Sequence, residues 1–375
     1  VGGATFEEML ETYREQALGL IQGGADLLVM ETIQDTLNLK AGLLGIERAQ
    51  EEAGLRLPLG ISCTIEPTGT MLAGQDVEAF WTSVKHARPL FVGLNCSTGP
   101  DFMTDHVRTL AEISDVLTSC YPNAGLPDED GIYHESPEQI ASKLRDFIER
   151  GWLNLIGGCC GTTEDHVRRM SEAVKGLRPR VPKGRALTTV SGLEAVSFLP
   201  ENRPLLVGER TNVIGSRRFK RLVSSEDWDS AAEIGRRQVR GGAQVVDVCV
   251  ADPDRDESSD MVALLSRLVR KIKAPLMIDT TDPEVLEASL RLSQGKAIVN
   301  SINLEDGEQR FDEVCPLLKR YGAACVALTI DEDPEAGMAK TAARKLEIAT
   351  RMHDLYAVSY THLRAHETKT RIAGG

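Results

Sequence analysis

Three cysteines stand where their type and spacing could do chemistry. Gly157-Gly158-Cys159-Cys160-Gly161-Thr162-Thr163 follows the apolar run Leu153-Asn154-Leu155-Ile156 and precedes a helical pattern. Adjacent side chains on an extended chain point to opposite faces. Both thiols can reach one point only if the backbone turns sharply, which glycines permit. A third thiol, Cys96, ends the run Gly93-Leu94-Asn95-Cys96. Three thiolates suit Zn2+, which accepts sulfur, prefers a tetrahedron and would keep a fourth position for a substrate. With a net charge of about −1, such a centre is a modest Lewis acid that still lowers the pKa of an incoming thiol. The spacing by itself fits buried structural cysteines equally well. Cys63, Cys120, Cys249, Cys315 and Cys325 lie in apolar contexts and read as core.

The elements that position these thiols alternate between strand and helix. Short apolar runs at about 26–30, 58–64, 90–94, 115–120 and 153–156 are separated by helical patterns. Thr5-Phe6-Glu7-Glu8 opens the first helix as a capping box, and Ser136-Pro137-Glu138-Gln139 opens a later one with Pro at its first position. This alternation predicts a parallel sheet, whose chemistry gathers at the C-terminal strand ends. Glu31, Cys96, Asn123, Cys159 and Cys160 all fall there. Residues 177–204, with Pro179, Pro182, Pro200 and Pro204, read as a linker. Alternation resumes at about 205, with strands near 205–207, 244–250, 275–278, 297–299 and 323–330. Each half offers about five strand–helix units where a closed barrel needs eight. The residues fit two small open sheets or two barrels cut by the ends of the chain. A start at Val1, without Met, suggests a fragment. Residues 358–375 fit neither pattern and read as a foreign or disordered tail, so no metal is expected at His362 and His366.

Composition narrows the partners. The 375 residues carry a formal charge of −13, which argues against nucleic acid and anionic membrane as ligands. No run of about 18 apolar residues exists. Eight cysteines in a chain this long do not suggest a disulfide framework, and the setting reads as cytoplasmic.

Gly93-Leu94-Asn95-Cys96-Ser97, Gly157 to Thr163 and Met30-Glu31-Thr32-Ile33-Gln34-Asp35 resemble the homocysteine S-methyltransferase family. The resemblance covers residues 1–176, as the C-terminal part of that family's barrel. It implies that Cys96, Cys159 and Cys160 bind a zinc that activates homocysteine. It also implies that Glu31 contacts the homocysteine amino group, as a carboxylate pairs with an ammonium. A helix N-terminal acid is the plainer role for Glu31. Asn123, at the end of the next strand after Cys96, could place its side-chain oxygen at the open zinc position or serve as a loop residue after Pro122.

Val207-Gly208-Glu209-Arg210-Thr211-Asn212-Val213-Ile214-Gly215-Ser216, Met277-Ile278-Asp279-Thr280 and Ile298-Val299-Asn300-Ser301-Ile302-Asn303 resemble the pterin-binding family, which includes dihydropteroate synthase and methyltetrahydrofolate methyltransferases. A pterin edge presents ring N–H groups, an amine and a carbonyl, which carboxylates and amides suit. Asn212, Asp247, Asp279, Asn300 and Asp331 are assigned to it; N-capping is the alternative for Asp279 and Asn300. This half, residues 205–357, is expected to be the N-terminal part of a second barrel. Together the resemblances imply an α/β chain with two (β/α)8 TIM-type barrels in tandem, both truncated.

A homocysteine half followed by a methyltetrahydrofolate half is the order seen in cobalamin-dependent methyltransferases. That order implies methyl transfer from 5-methyltetrahydrofolate through methylcobalamin to zinc-activated homocysteine thiolate, giving methionine and tetrahydrofolate. The cobalamin-binding and reactivation modules would lie elsewhere in a full-length chain. The alternatives are a homocysteine methyltransferase with another donor, or an inactive zinc- and folate-binding fragment.

Overall fold

The computed structural model describes residues 3–184, 187–305, 307–330 and 337–365, with side chains to 357. The chain divides into two compact units, Val1–Thr189 with Leu193–Ser197, and Val190–Gly192 with Phe198–Gly375.

The first unit holds a five-stranded parallel sheet of β1 (Leu28–Ile33), β2 (Leu59–Cys63), β3 (Phe91–Asn95), β4 (Leu117–Tyr121) and β5 (Leu155–Ile156). Its helices are α1 (Phe6–Gln22), α2 (Thr36–Ala53), α3 (Val77–Val84), α4 (Pro100–Ile113), α5 (Pro137–Glu149) and α6 (Glu164–Ala173). The strands neighbour one another in sequence order. Doubly wound sheets reverse their order at a switch point, whereas barrels run sequentially. This arc therefore has barrel-type succession.

Register and alternation give the sheet two unlike faces. Met30, Ile61 and Val92 are aligned in adjacent strands, as are Leu94, Cys120 and Ile156. They pack with Leu39, Phe80, Trp81, Met103, Val107, Ile140, Leu144 and Phe147 from the helices in one core. Full burial of such side chains stabilises by about 1.5–3 kcal/mol each. The opposite face carries Val29, Glu31, Gly60, Ser62, Phe91, Gly93, Asn95, Ser119 and Tyr121, smaller and more polar. Helices start at side-chain caps: Thr5 and Ser136 form capping boxes, and Asp35 and Asp76 accept from backbone N–H groups.

Segment 177–204 contains two short strands, β6 (Thr189–Ser191) and β7 (Ala195–Ser197), and a 3-10 turn at Pro200–Asn202. Its first residues are anchored in the first unit. Arg180 donates to the carbonyls of Ala111, Ser114 and Val116 at 2.7, 2.6 and 2.7 Å, placing a cation at the carbonyl end of α4.

The second unit repeats the plan. Its five parallel strands are β8 (Val207–Asn212), β9 (Val245–Cys249), β10 (Leu276–Asp279), β11 (Ile298–Ile302) and β12 (Ala324–Ala327), again in sequential order. The helices are α7 (Arg217–Ser224), α8 (Trp228–Arg240), α9 (Glu257–Leu268), α10 (Pro283–Leu290), α11 (Gln309–Tyr321) and α12 (Ala342–Ala365). The chain is thus α/β, with barrel-type parallel sheets in both units.

Three boundaries differ from the sequence reading. β1 runs on past Glu31 to Ile33, with a register irregularity between Met30 and Ile33. β8 runs through Asn212, because a second irregularity between Gly208 and Thr211 absorbs the polar motif into the strand. Helical backbone in α12 continues to Ala365, past the expected edge at 357, since 358–365 contains no Gly or Pro to stop it. Residues 366–375 lie outside the described residues. Among the described residues, no helix is long and apolar enough to cross a membrane.

Candidate functional site

The thiol site begins at the end of β3. Asn95 is buried there, and its side chain ties three strands together. Its Oδ1 accepts from Thr32 N at 3.1 Å and Ser62 Oγ at 2.6 Å, while its Nδ2 donates to Thr32 Oγ1 at 2.8 Å. Immediately beyond it the chain turns through two left-handed residues, Cys96 and Ser97, both at φ 63°. Non-glycine residues take this conformation at a cost of about 1–2 kcal/mol each. The turn is held from outside: Cys96 N donates to Tyr121 O at 3.1 Å, and Ser97 Oγ to Glu66 Oε2 at 2.9 Å. Gln34 Nε2 donates to the other Glu66 oxygen at 2.9 Å.

The Cys159-Cys160 turn follows β5. Cys159 N donates to Pro122 O at 2.9 Å, and Ala124 N donates to Cys160 O at 2.9 Å. Asn123, 3% exposed, accepts from Cys160 N through Oδ1 at 3.1 Å. The Asn123 oxygen is therefore engaged with the turn that presents the thiols. Gly161 closes the turn at φ 76°, and a Cβ there would sit 2.3 Å from the Tyr133 ring. His166, in the first turn of α6, accepts from Thr163 N through Nδ1 at 3.1 Å. Nδ1 must then carry a lone pair, so Nε2 bears the hydrogen and donates to Glu135 O at 3.0 Å. This histidine locks the end of the thiol loop to the 124–135 segment.

These contacts bring the three sulfurs together. Cys96 Sγ lies 3.7 Å from Cys160 Sγ, and Cys160 Sγ 3.9 Å from Cys159 Sγ. All three fall within 4.8 Å of one another, the one such metal-capable group among the described residues. Zinc–sulfur bonds of about 2.3 Å at tetrahedral angles put sulfurs about 3.8 Å apart. The donor set and these two separations fit a zinc ion. Burial, then the neighbouring Cys96 and Cys160, push the Cys159 thiol up to about 12. A cation bound among the sulfurs would offset the repulsion that raises Cys159.

Beside the triad stands one group that the sequence did not single out. Tyr133 stands beside Cys160, and its phenol is raised by desolvation first and then by the Cys160, Cys96 and Cys159 charges. Glu31 lies on the polar face of β1, exposed, and its charge raises the Tyr121 phenol after desolvation has done so. The remaining cysteines are held apart from the site. Cys63, Cys120 and Cys315 are buried in the cores, and burial pushes Cys120 up to about 12. Cys249 was expected in the core as well. It is buried, but it aligns with Asn212 in the register of β8 and β9, so the Asp279 and Asp247 charges add to the burial that drives it up to about 11.

The second unit gathers carboxylates where the first gathers thiols. Asp247 (β9), Asp279 (β10) and Asn300 (β11) lie on one face of three adjacent strands, Asp279 directly opposite Asn300. Asn212 Nδ2 donates to Asp247 Oδ2 at 3.1 Å, while its Oδ1 accepts from Ile214 and Gly215 N–H at 2.9 and 3.0 Å. Asp247 is 3% exposed. Burial, then the charges of Asp279 and Glu209, push its carboxyl up to about 6 against the Asn212 hydrogen bond. Asp279 is also raised, by burial and then by Glu257 and Glu209. Glu209 and Glu257 were missed: Glu209 sits inside the quoted β8 motif, but Glu257 opens α9 with no local signal beyond a helix start. Asp331 lies outside the described residues.

Residues 2–174 match the homocysteine S-methyltransferase family, and residues 208–364 match the pterin binding enzyme family. The two occur in the domain order of methionine synthase. Among solved structures, the homocysteine methyltransferase MmuM from Escherichia coli, apo form, is similar at 20% identity over 46% of this chain and 59% of its own, with a TM-score of 0.38. This chain thus spans 59% of that relative's length. Dihydropteroate synthase from Xanthomonas albilineans with 4-aminobenzoic acid is similar at 17% identity over 43% of this chain and 69% of its own, TM-score 0.28. The same enzyme in complex with 7,8-dihydropteroate gives 20% identity over 43% and 71%, TM-score 0.28.

Proposed function

We propose that this chain belongs to a methyltransferase that passes a methyl group from a folate donor to the thiol of homocysteine. The observation that carries the reading is the triad itself: three sulfurs spaced as zinc ligands, in a homocysteine S-methyltransferase domain. The finer reading assigns 5-methyltetrahydrofolate as donor, methionine as product, and cobalamin on a separate module as carrier. The cytoplasm remains the expected setting.

Cys96, Cys159 and Cys160 would hold Zn2+, which when bound supplies Lewis acidity that lets a substrate thiol bind as thiolate near neutral pH. The chain's own residues do the rest. Asn123 and the backbone around Pro122 and Ala124 fix the Cys159-Cys160 turn. The Tyr133 phenol, whose own ionisation the cysteine charges oppose, stands as a neutral neighbour of Cys160. Glu31, exposed on the polar face, takes the ammonium of the amino acid. In the second unit, Asp247, Asp279, Asn212 and Asn300 receive the donor-rich edge of a pterin, as would Asp331. A ligand N–H facing Asp247 favours its ionised form and offsets the burial and the neighbouring charges that raise it.

The test is X-ray absorption at the zinc edge of the full chain. The expected spectrum has three sulfur ligands, rising to four when homocysteine is added. A sulfur count that homocysteine leaves unchanged, or zinc binding that survives replacement of all three cysteines, would remove the reading.

A further inference from the structure

Backbone strain in the first unit gathers at two strand ends. Among the described residues five non-glycine residues have positive φ, and three of them are Thr32, Cys96 and Ser97. Thr32 follows Glu31 near the end of β1, and Cys96 and Ser97 follow β3. Residues in such conformations persist only where their surroundings hold them, and they cluster at functional sites. β2 lies between β1 and β3, so no ladder bond joins the two ends. Side chains join them instead.

Asn95 makes the inner tie, to the backbone N–H and the hydroxyl of Thr32. Glu66 makes the outer one. Its two carboxylate oxygens are divided: one accepts from Gln34, the residue after β1, and the other from Ser97, the residue after Cys96, both at 2.9 Å. Hydrogen bonds to a carboxylate are about twice as strong as neutral ones. Glu66 is itself set in a closed turn of the β2–α3 loop, where Glu66 N donates to Thr70 O and Gly69 N to Glu66 O, each at 2.8 Å. Gly69 takes φ 89° to close that turn. The same loop returns to β1, with Ala73 N donating to Gln34 O at 3.0 Å. The carboxylate is thus presented from a fixed backbone. Glu66, Gln34 and Ser97 are half-buried, so the bridge adds nothing to the apolar core.

We propose that Glu66 is a positioning residue for the substrate: it straps the end of β1 to the Cys96 turn, so that Glu31 and the thiol triad meet the amino group and the sulfur of one homocysteine at a fixed separation. The proposal rests on the function proposed above. A ligand held at both ends gains from its second contact only if the two sites stand at the spacing the ligand spans. The end of β1 and the Cys96 turn are each strained, so without the strap that spacing varies and part of the gain is lost.

The experiment is titration calorimetry of the zinc-loaded full chain with homocysteine and with its desamino analogue, the same thiol acid without the amino group. Homocysteine is expected to bind about 100-fold tighter than the analogue. Glu66→Ala should cut that advantage about tenfold. Glu66→Gln should keep most of it, since an amide can accept from Ser97 and donate to Gln34 once the Gln34 amide has turned over. Glu31→Gln should remove the advantage, and adding Glu66→Ala to it should cost nothing more. Equal affinity of the unaltered chain for both thiols, an advantage that survives Glu66→Ala, an equal loss for both thiols, or additive losses in the double variant overturns the strap and leaves the zinc site standing. Binding of neither thiol by the unaltered chain overturns the proposed function, and the strap with it.

Discussion

The thiol triad of the first unit is assembled by loops, whereas the carboxylate floor of the second is laid out by strands. Cys96, Cys159 and Cys160 all lie past strand ends and are aimed by turns, two of them with positive φ at Cys96, Ser97 and Gly161. Asp247, Asp279 and Asn300 sit within paired strands, and sheet register alone sets their spacing. The two sites also carry their costs differently. The first stores them in backbone geometry, offset by hydrogen bonds from Asn95, Asn123 and Glu66. The second stores them in electrostatics, as a buried carboxyl held near 6. A small soft cation demands ligands converging on a point, which a pleated surface does not offer. A flat heterocycle needs a row of acceptors, which a sheet edge provides directly.

The largest expected effect tests the convergence. Cys96→Ser should lower zinc affinity by about a thousandfold, about 4 kcal/mol, in competition with a chromophoric chelator. Cys63→Ala, in the core, should leave the affinity unchanged. Equal losses at both positions would mean that the triad is not a distinct site.

The next breaks the electrostatic half. Asp247 titrates near 6 in the folded unit, against about 3.9 in an unfolded chain. As pH rises, the unfolded state loses this proton first, so stability declines between about pH 4 and 6 and stays reduced above. Asp247→Asn removes that decline. The variant should be more stable above pH 6, by on the order of 3 kcal/mol in urea denaturation, and gain nothing below pH 4. A uniform gain at all pH values would assign the effect to packing instead.

A smaller effect is expected at Asn123→Ala, which strips the acceptor from Cys160 N. Zinc affinity should fall by about 10–100-fold, as for other residues that orient metal ligands. No change would show that the other backbone contacts suffice to fix the turn. Smallest is Tyr133→Phe, which removes the hydroxyl that stands beside Cys160. A loss of about fivefold in zinc affinity, about 1 kcal/mol, is the expected reading. If the affinity rises, the phenol is competing with the metal for that sulfur.

Much of this was legible before any coordinates. Alternating apolar runs and caps marked the βα units, because each strand needs a buried face and each helix needs its first N–H groups satisfied. The order of the thiols and carboxylates along the chain placed them at strand ends. Less legible were strand limits at polar motifs: Glu31 and Glu209–Asn212 look like loop chemistry, yet both continue strands across register irregularities. Tyr133, His166 and Glu66 carried no signal, since each reaches its site through contacts to residues about 30 positions away or within a cap.

Sequence alone determined which residue types could do chemistry here and on which strand ends they fall, because local patterning reports secondary structure and its direction. It left open whether Cys96, Cys159 and Cys160 were core or site. Only the tertiary structure decided that three sulfurs from two turns lie within 4.8 Å of one another while Cys63, Cys120 and Cys315 are sealed among apolar side chains. The physical reason is range. Periodicity is fixed by neighbours three or four residues away, whereas the triad depends on contacts across about 60 residues that only the paired sheet brings into register.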